Sequence, residues 1–207
     1  ICDIGCGAGR VSAYLAATGR QNLLPIDYSR RSLEITKKNV IPPVVRANTL
    51  RLPLKSESVD VVISTGVIHH TSDPVKALSE SCRVLKTGGK MYLKVYRRGS
   101  YYHFLHLFIG GFLRSARKRD SKTTNWIDGC AFHVYYWASG KLKRGRTKNK
   151  KFLRVLYEDY FYNEQTRFLS PEKLGRALNI NGLTFERFVS GRPTDLYIAH
   201  KTASTCQ

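Results

Sequence analysis

Hydrophobic and polar positions alternate in two different regimes along the chain. From residue 1 to 96 short apolar runs take turns with amphipathic stretches: ICDI, NLLPI, PVVRA, VDVVIS and KMYLKVY read as strands, with helical spacing near 10–18, 29–39 and 74–85 between them. That alternation builds a parallel sheet covered by helices. After residue 168 the same pattern returns. LSPEKLGRAL starts a helix with Ser170 as its cap and Pro171 in its first turn. LTFERFVSG and TDLYIAHK follow as two strands about three residues apart, a spacing that makes an antiparallel hairpin.

The middle of the chain breaks the pattern. YYHFLHLFIGGFLRSARKR is aromatic, helix-compatible and ends in a basic cluster, and NWIDGCAFHVYYW and KLKRGRTKNKKFLR come after it. The expected fold is α/β: a Rossmann-like, doubly wound, mostly parallel sheet with a C-terminal antiparallel hairpin and a helical, aromatic, basic insertion after the fifth strand. One domain is expected, with a core at 1–96, an insertion or cap at 97–168, and a helix and hairpin at 169–201 completing the sheet. Ile1 already reads as the interior of a strand, so a preceding segment is expected as well.

Composition narrows the class. At 207 residues with 42% hydrophobic content, the chain can bury a full core. No apolar run reaches the roughly 18 residues that span a bilayer, and no signal-peptide order of basic, apolar and small residues opens the chain, so a cytoplasmic location is expected. The five cysteines are scattered, without CxxC pairs or histidines at zinc spacing, and read as reduced thiols; no metal is expected.

Charge is the unusual feature. The formal net charge is +20, and residues 86–154 alone hold 18 basic and 2 acidic side chains. The densest part is Lys141, Lys143, Arg144, Arg146, Lys148, Lys150, Lys151 and Arg154, with no acid among them. Such a block attracts polyanions or anionic surfaces, although a run of charge is also the ordinary composition of a solvated face.

The chemistry concentrates after the strands, where ligands bind in open α/β sheets. DIGCGAGR places Gly5, Gly7 and Gly9 directly after the first strand, and Arg10 stands where the dinucleotide pattern G-x-G-x-x-G needs its third glycine. The phosphate-loop pattern is absent too. What remains is a turn whose backbone passes close to a ligand and opens a helix, whose free N–H groups suit a carboxylate. Asp27 ends the second strand, eighteen residues after Gly9, placed to accept from two ribose hydroxyls.

The spelling D-x-G-x-G-x-G resembles motif I of the class I S-adenosylmethionine-dependent methyltransferases. STGVIHHTSDPVKALSESCRVLKTGGKMYL resembles the corresponding stretch of the type 11 methyltransferase domain, with its His-His pair and L-K-x-G-G turn. The resemblance covers residues 1–96 closely and 168–201 only as a layout. It implies S-adenosylmethionine as cofactor, with Asp3, Gly5, Cys6, Gly7 and Gly9 along the methionine part and Asp27 on the ribose. Tyr28, Asn48, Thr49 and Leu50 would lie around the adenine, and Thr65 under the cofactor where the fourth strand ends. Asn48 departs from the family's usual Asp, which leaves an amide oxygen to accept from the adenine amine. His70 is the candidate base lining the acceptor pocket, with His69 oriented by the scaffold. Cys6 reads as a small turn-filling residue rather than a reactive thiol.

Three readings of the acceptor follow. A small-molecule or lipid-like acceptor would lie beneath the aromatic cap, against Tyr101, Tyr102, Phe104, Tyr135, Tyr136 and Trp137. An RNA acceptor is the alternative, since VIHH followed by RVLKTGG also resembles methyltransferases of tRNA wobble uridines and basic residues interleave with aromatics. The third reading is a non-catalytic module that binds nucleic acid or anionic membrane through residues 97–154.

Overall fold

The computed structural model describes residues 1–40, 43–119, 122–142, 150–190 and 194–202. The chain divides into two compact units, Ile1–Arg98 with Gln165–Gln207 and, separately, Gly99–Glu164.

In the first unit β1 (Cys2–Ile4) leads to α1 (Arg10–Ala17), β2 (Leu24–Asp27), α2 (Arg30–Asn39), β3 (Val45–Arg46) and β4 (Val59–Thr65). A short 3₁₀ turn (Ile68–His70) precedes α3 (Pro74–Val84) and β5 (Leu85–Tyr96). The chain then leaves for α4 (Tyr101–Leu105), α5 (Gly111–Arg117), α6 (Lys122–Leu142) and α7 (Lys150–Tyr162), and returns with α8 (Pro171–Ile180), β6 (Leu183–Ser190) and β7 (Thr194–Lys201). Helix starts follow local chemistry. Ser29, Asp73 and Ser170 each accept a backbone N–H from the first turn of α2, α3 and α8, and proline stands at the start of α3 and α8.

Among the described residues, seven strands form one sheet in the order β3-β2-β1-β4-β5-β7-β6, with β7 antiparallel to both β5 and β6. The order reverses between β1 and β4, so a crevice opens at their carboxyl ends. The core fills with Ile4, Ile26, Val62, Met91, Leu93, Leu178 and Leu183, each at most 1% exposed. Each such side chain contributes about 1.5–3 kcal/mol through burial. Two strands differ from the pattern-based expectation. β3 is only two residues long, and β5 begins at Leu85 rather than Lys90. Leu85 already pairs with Val59, and an irregularity in the register lets Thr87–Gly89 remain within the extended strand.

The second unit is helical, with its own core of Leu113, Phe132, Tyr157 and Phe161. A widened π turn, His106–Gly110, separates α4 from α5. There the His106 Nδ1–H donates to the Tyr160 carbonyl at 2.6 Å, and Tyr102 Oη donates to the same oxygen at 3.1 Å. Asp128 is the polar centre, accepting from Arg154, Tyr157 and Tyr162. Burial alone would raise its carboxyl, but these donors together hold it below the ordinary carboxylate range. Arg154 also pairs with Glu158, as does Arg117, which lies 3.7 Å over the Tyr162 ring. Part of the basic block is therefore committed inside this unit. Lys143, Arg144, Arg146 and Lys148, four of the eight residues of the expected polyanion site, lie outside the described residues, as do residues 191–193, where the hairpin turn is expected.

One long-range contact ties the last strand to the sheet's covering helix. Lys201 Nζ, on a side chain 15% exposed, donates to the carbonyls of Cys82 and Leu85 at the end of α3, at 3.0 and 2.8 Å, and lies 3.2 Å from Glu57. A cation at a helix C-terminus satisfies carbonyls that lack partners within the helix. Lys201→Met keeps the apolar stem and removes these bonds. It should lower the unfolding free energy by about 1–3 kcal/mol in urea denaturation; an unchanged midpoint and slope would show that the contact contributes nothing.

Candidate functional site

The glycine loop sits at the carboxyl end of β1 and is held from below. The Ile26 carbonyl accepts from both Gly5 N–H (2.7 Å) and Cys6 N–H (2.9 Å), and Gly9 N–H closes the turn on the Cys6 carbonyl. All three glycines have positive φ: +71° at Gly5, +55° at Gly7 and +75° at Gly9. Their missing side chains face different surroundings. A Cβ on Gly5 would strike Val67, and one on Gly9 would strike Thr36, whereas one on Gly7 would meet nothing within 4 Å. Gly5 and Gly9 thus allow the loop to pack, and Gly7 turns a bare backbone toward open space.

Asp27 reaches the same loop. Its Oδ2 accepts from Gly7 N–H and its Oδ1 from Ser29 N–H, both at 2.8 Å. A carboxylate offers about four lone-pair sites, so half remain for a ligand. Asp27 therefore has a structural task, fixing the loop and the entry to α2, that sequence reasoning missed. Asp3 is 2% exposed and takes a hydrogen bond from Ser12 at 2.7 Å. Burial raises its carboxyl above the ordinary value, against the lowering effect of that hydroxyl. It braces the first turn of α1 from beneath the loop. The Cys6 thiol is pushed up to about 12, first by burial and then by the Asp3 carboxylate, so it is an uncharged packing group.

Beside the loop, Tyr28 is 67% exposed, with Arg46 donating from Nε to its carbonyl at 3.1 Å and lying 5.8 Å from its ring. Asn48 Oδ1 already accepts from Leu50 N–H at 2.9 Å and shapes the turn through Thr49, leaving one lone pair on that oxygen. Thr65, half-buried, lines a groove of about 480 Å³ with Ile1, Leu15, Tyr92 and Leu196 on the α1 side of the sheet.

Past β4 the two histidines differ sharply. His69 is fully buried with neither ring nitrogen hydrogen-bonded, and burial, assisted by His70, holds it neutral far below the usual histidine value. His70 is half-buried, and its Nδ1 lies 3.2 Å from Thr166 Oγ1. The His69 ring packs on His70 (4.3 Å between centroids) and on Tyr96 (4.2 Å), and Tyr96 stacks on Phe168 at 6.1 Å. Arg167 N–H donates to the His69 carbonyl at 2.8 Å. Tyr96, at the end of β5, escaped sequence reasoning, as did Thr166, Arg167 and Phe168, which the returning chain brings to that strand end from about seventy residues away. Thr36, fully buried, also escaped it, although it supports the loop by donating to the Gly7 carbonyl at 2.9 Å. Five arginines at or just past these strand ends are exposed: Arg10, Arg46, Arg51, Arg98 and Arg167.

Comparisons with known proteins concern the same stretch of chain. The family model described as "Methyltransferase domain" matches residues 2–93. A human protein named "Probable tRNA methyltransferase 9B" is 36% identical over 99 residues, covering 46% of this chain and 21% of that protein. A Macaca fascicularis protein, "tRNA (carboxymethyluridine(34)-5-O)-methyltransferase ALKBH8", is 33% identical over 99 residues, covering 46% of this chain and 14% of that one. The chain thus matches only about a fifth or less of the length of these curated relatives. Among solved structures, magnesium protoporphyrin IX methyltransferase from Synechocystis with bound SAH shares the fold at TM-score 0.60 and 15% identity, covering 97% of this chain and 73% of that one. By sequence match, residues 2–93 carry a methyltransferase domain, and the chain shares its fold with the Synechocystis methyltransferase structure.

Proposed function

We propose that this chain transfers a methyl group from S-adenosylmethionine to an RNA acceptor at the carboxyl edge of its sheet. The observation that carries the cofactor assignment is the bare backbone of Gly7, open above and fixed below by Asp27. The residues fit the group. The loop Gly5–Gly9 and the first N–H groups of α1 would take the methionine part, the free lone pairs of Asp27 the ribose hydroxyls, and Tyr28 with Asn48–Leu50 the adenine. The cofactor supplies a methyl carbon already activated on a sulfonium. The chain's own work is therefore to bind, align and exclude water, with little acid–base machinery. His70, oriented through Thr166, is the group available to take a proton from the acceptor, and neutral His69 packs behind it.

The exposed arginines support an anionic acceptor. They are exposed and stand at or just past strand ends, whereas Arg117 and Arg154 of the basic block are consumed by carboxylates in the helical unit. The names of the relatives point the same way. A small or lipid-like acceptor gives the opposite outcome in the second test below.

For the cofactor, calorimetric titration with S-adenosylhomocysteine should show saturable binding by the natural chain. Gly7→Val should abolish it, because the side chain fills the open space and strains a positive φ, and Asp27→Asn should weaken it about 10- to 100-fold. Normal affinity in both variants would remove the loop from the site.

For the acceptor, replacing Arg51, Arg98 and Arg167 together with Gln should leave S-adenosylhomocysteine affinity unchanged. RNA binding and methyl transfer to RNA should fall, and the log–log salt slope of RNA binding should flatten by roughly 2 to 3. His70→Ala should lower turnover without changing cofactor affinity. A triple variant with undiminished RNA binding and turnover would show that the acceptor is held elsewhere or is not RNA.

A further inference from the structure

The outer face of residues 101–113 is apolar. These thirteen residues, YYHFLHLFIGGFL, contain no lysine, arginine, aspartate or glutamate. The inner side is accounted for, since Tyr102, His106 and Leu113 are buried within the helical unit. The outer side is equally apolar and faces water: Tyr101 is 56% exposed, Phe104 52%, Leu107 50%, Phe108 73% and Phe112 61%. A helix that packs one face on its own domain is ordinarily polar on the other, and a contiguous apolar ridge of this kind marks a surface that meets something apolar.

The charge beside the ridge indicates what that is. The run leads into a basic stretch in which Arg114 is bonded to backbone carbonyls and Arg117 and Lys118 are paired with carboxylates, and Gly99–Glu164 as a whole still holds 13 basic against 5 acidic side chains. We propose that this face docks on the surface of an anionic lipid bilayer. The phenyl and leucine side chains enter the boundary between headgroups and acyl chains, and the unit's net positive charge, with Arg119 next to the run in sequence, meets lipid phosphates. An apolar ridge on a unit of net positive charge is the combination that holds interfacial helices at anionic membranes. Nucleic acid fits less well, because bases stack on rings but gain little from Leu105 and Leu107, which stand among the phenyl groups. The contact lies in the plane of the membrane, since no helix among the described residues is long and apolar enough to cross one.

Vesicle sedimentation with the full chain tests this. The chain should bind vesicles of phosphatidylcholine with about 30 mol% phosphatidylserine and not vesicles of phosphatidylcholine alone. Phe104→Ser with Phe108→Ser and Phe112→Ser should weaken that binding about 100-fold, and Phe108→Ser alone several-fold, with unchanged thermal melting for the single variant and unchanged affinity for S-adenosylhomocysteine. Because the ridge and the cofactor loop are tested by separate ligands, the two assignments fail separately. No binding to anionic vesicles at low salt would overturn the proposal. So would vesicle binding that survives the loss of the phenyl groups, which would leave charge as the only attraction. A loss of RNA binding with vesicle binding intact would make the ridge a base-stacking surface instead.

Discussion

A single carbonyl organises the site. Ile26 O accepts two successive N–H groups of the glycine loop, and the next residue, Asp27, takes a third from Gly7. The end of β2 thereby fixes a turn that begins at the end of β1. This works only because the two strands are parallel neighbours in register, Ile4 beside Ile26, and because three residues adopt positive φ. Thr36 in α2 and Val67 after β4 then press against positions where no side chain fits. Sheet register, helix packing and loop shape are thus one constraint, and its product is a bare Gly7 next to a carboxylate with lone pairs to spare.

Much of this is legible in the sequence, and particular residues show why. Strand-forming runs, capping residues and the spacing from Gly9 to Asp27 are local, so β1, α1, β2, α3, α8 and the β6–β7 hairpin follow from short stretches of chain. The ligand-facing loop is equally local, since glycines at alternate positions announce a turn in unusual conformations. Non-local features are a different matter. Nothing near Thr166 or Phe168 in the sequence signals contact with His70 or Tyr96, and nothing near Lys201 signals the end of α3. The dual role of Asp27 was hidden for the same reason, because its backbone partner Gly7 is twenty residues away.

Charge behaves similarly. Net +20 is evident from composition, but its distribution between solvated, committed and available groups is not. Glu158 lies 41 residues from Arg117, and together with Asp128 it turns part of an apparent polyanion site into internal ion pairs of the helical unit. The arginines around the carboxyl edge, by contrast, come singly from five separate stretches and form no run that a sequence scan would notice.

The central claim is that the glycine loop and the end of β2 hold the cofactor. Chemical-shift mapping of the ¹⁵N-labelled chain during titration with S-adenosylhomocysteine tests it most directly. Saturable shifts should concentrate at the amides of Gly5, Gly7, Gly9, Tyr28 and Thr49 and leave those of α8 and β6 in place. Shifts centred on α8 and β6, or none that saturate, would contradict it.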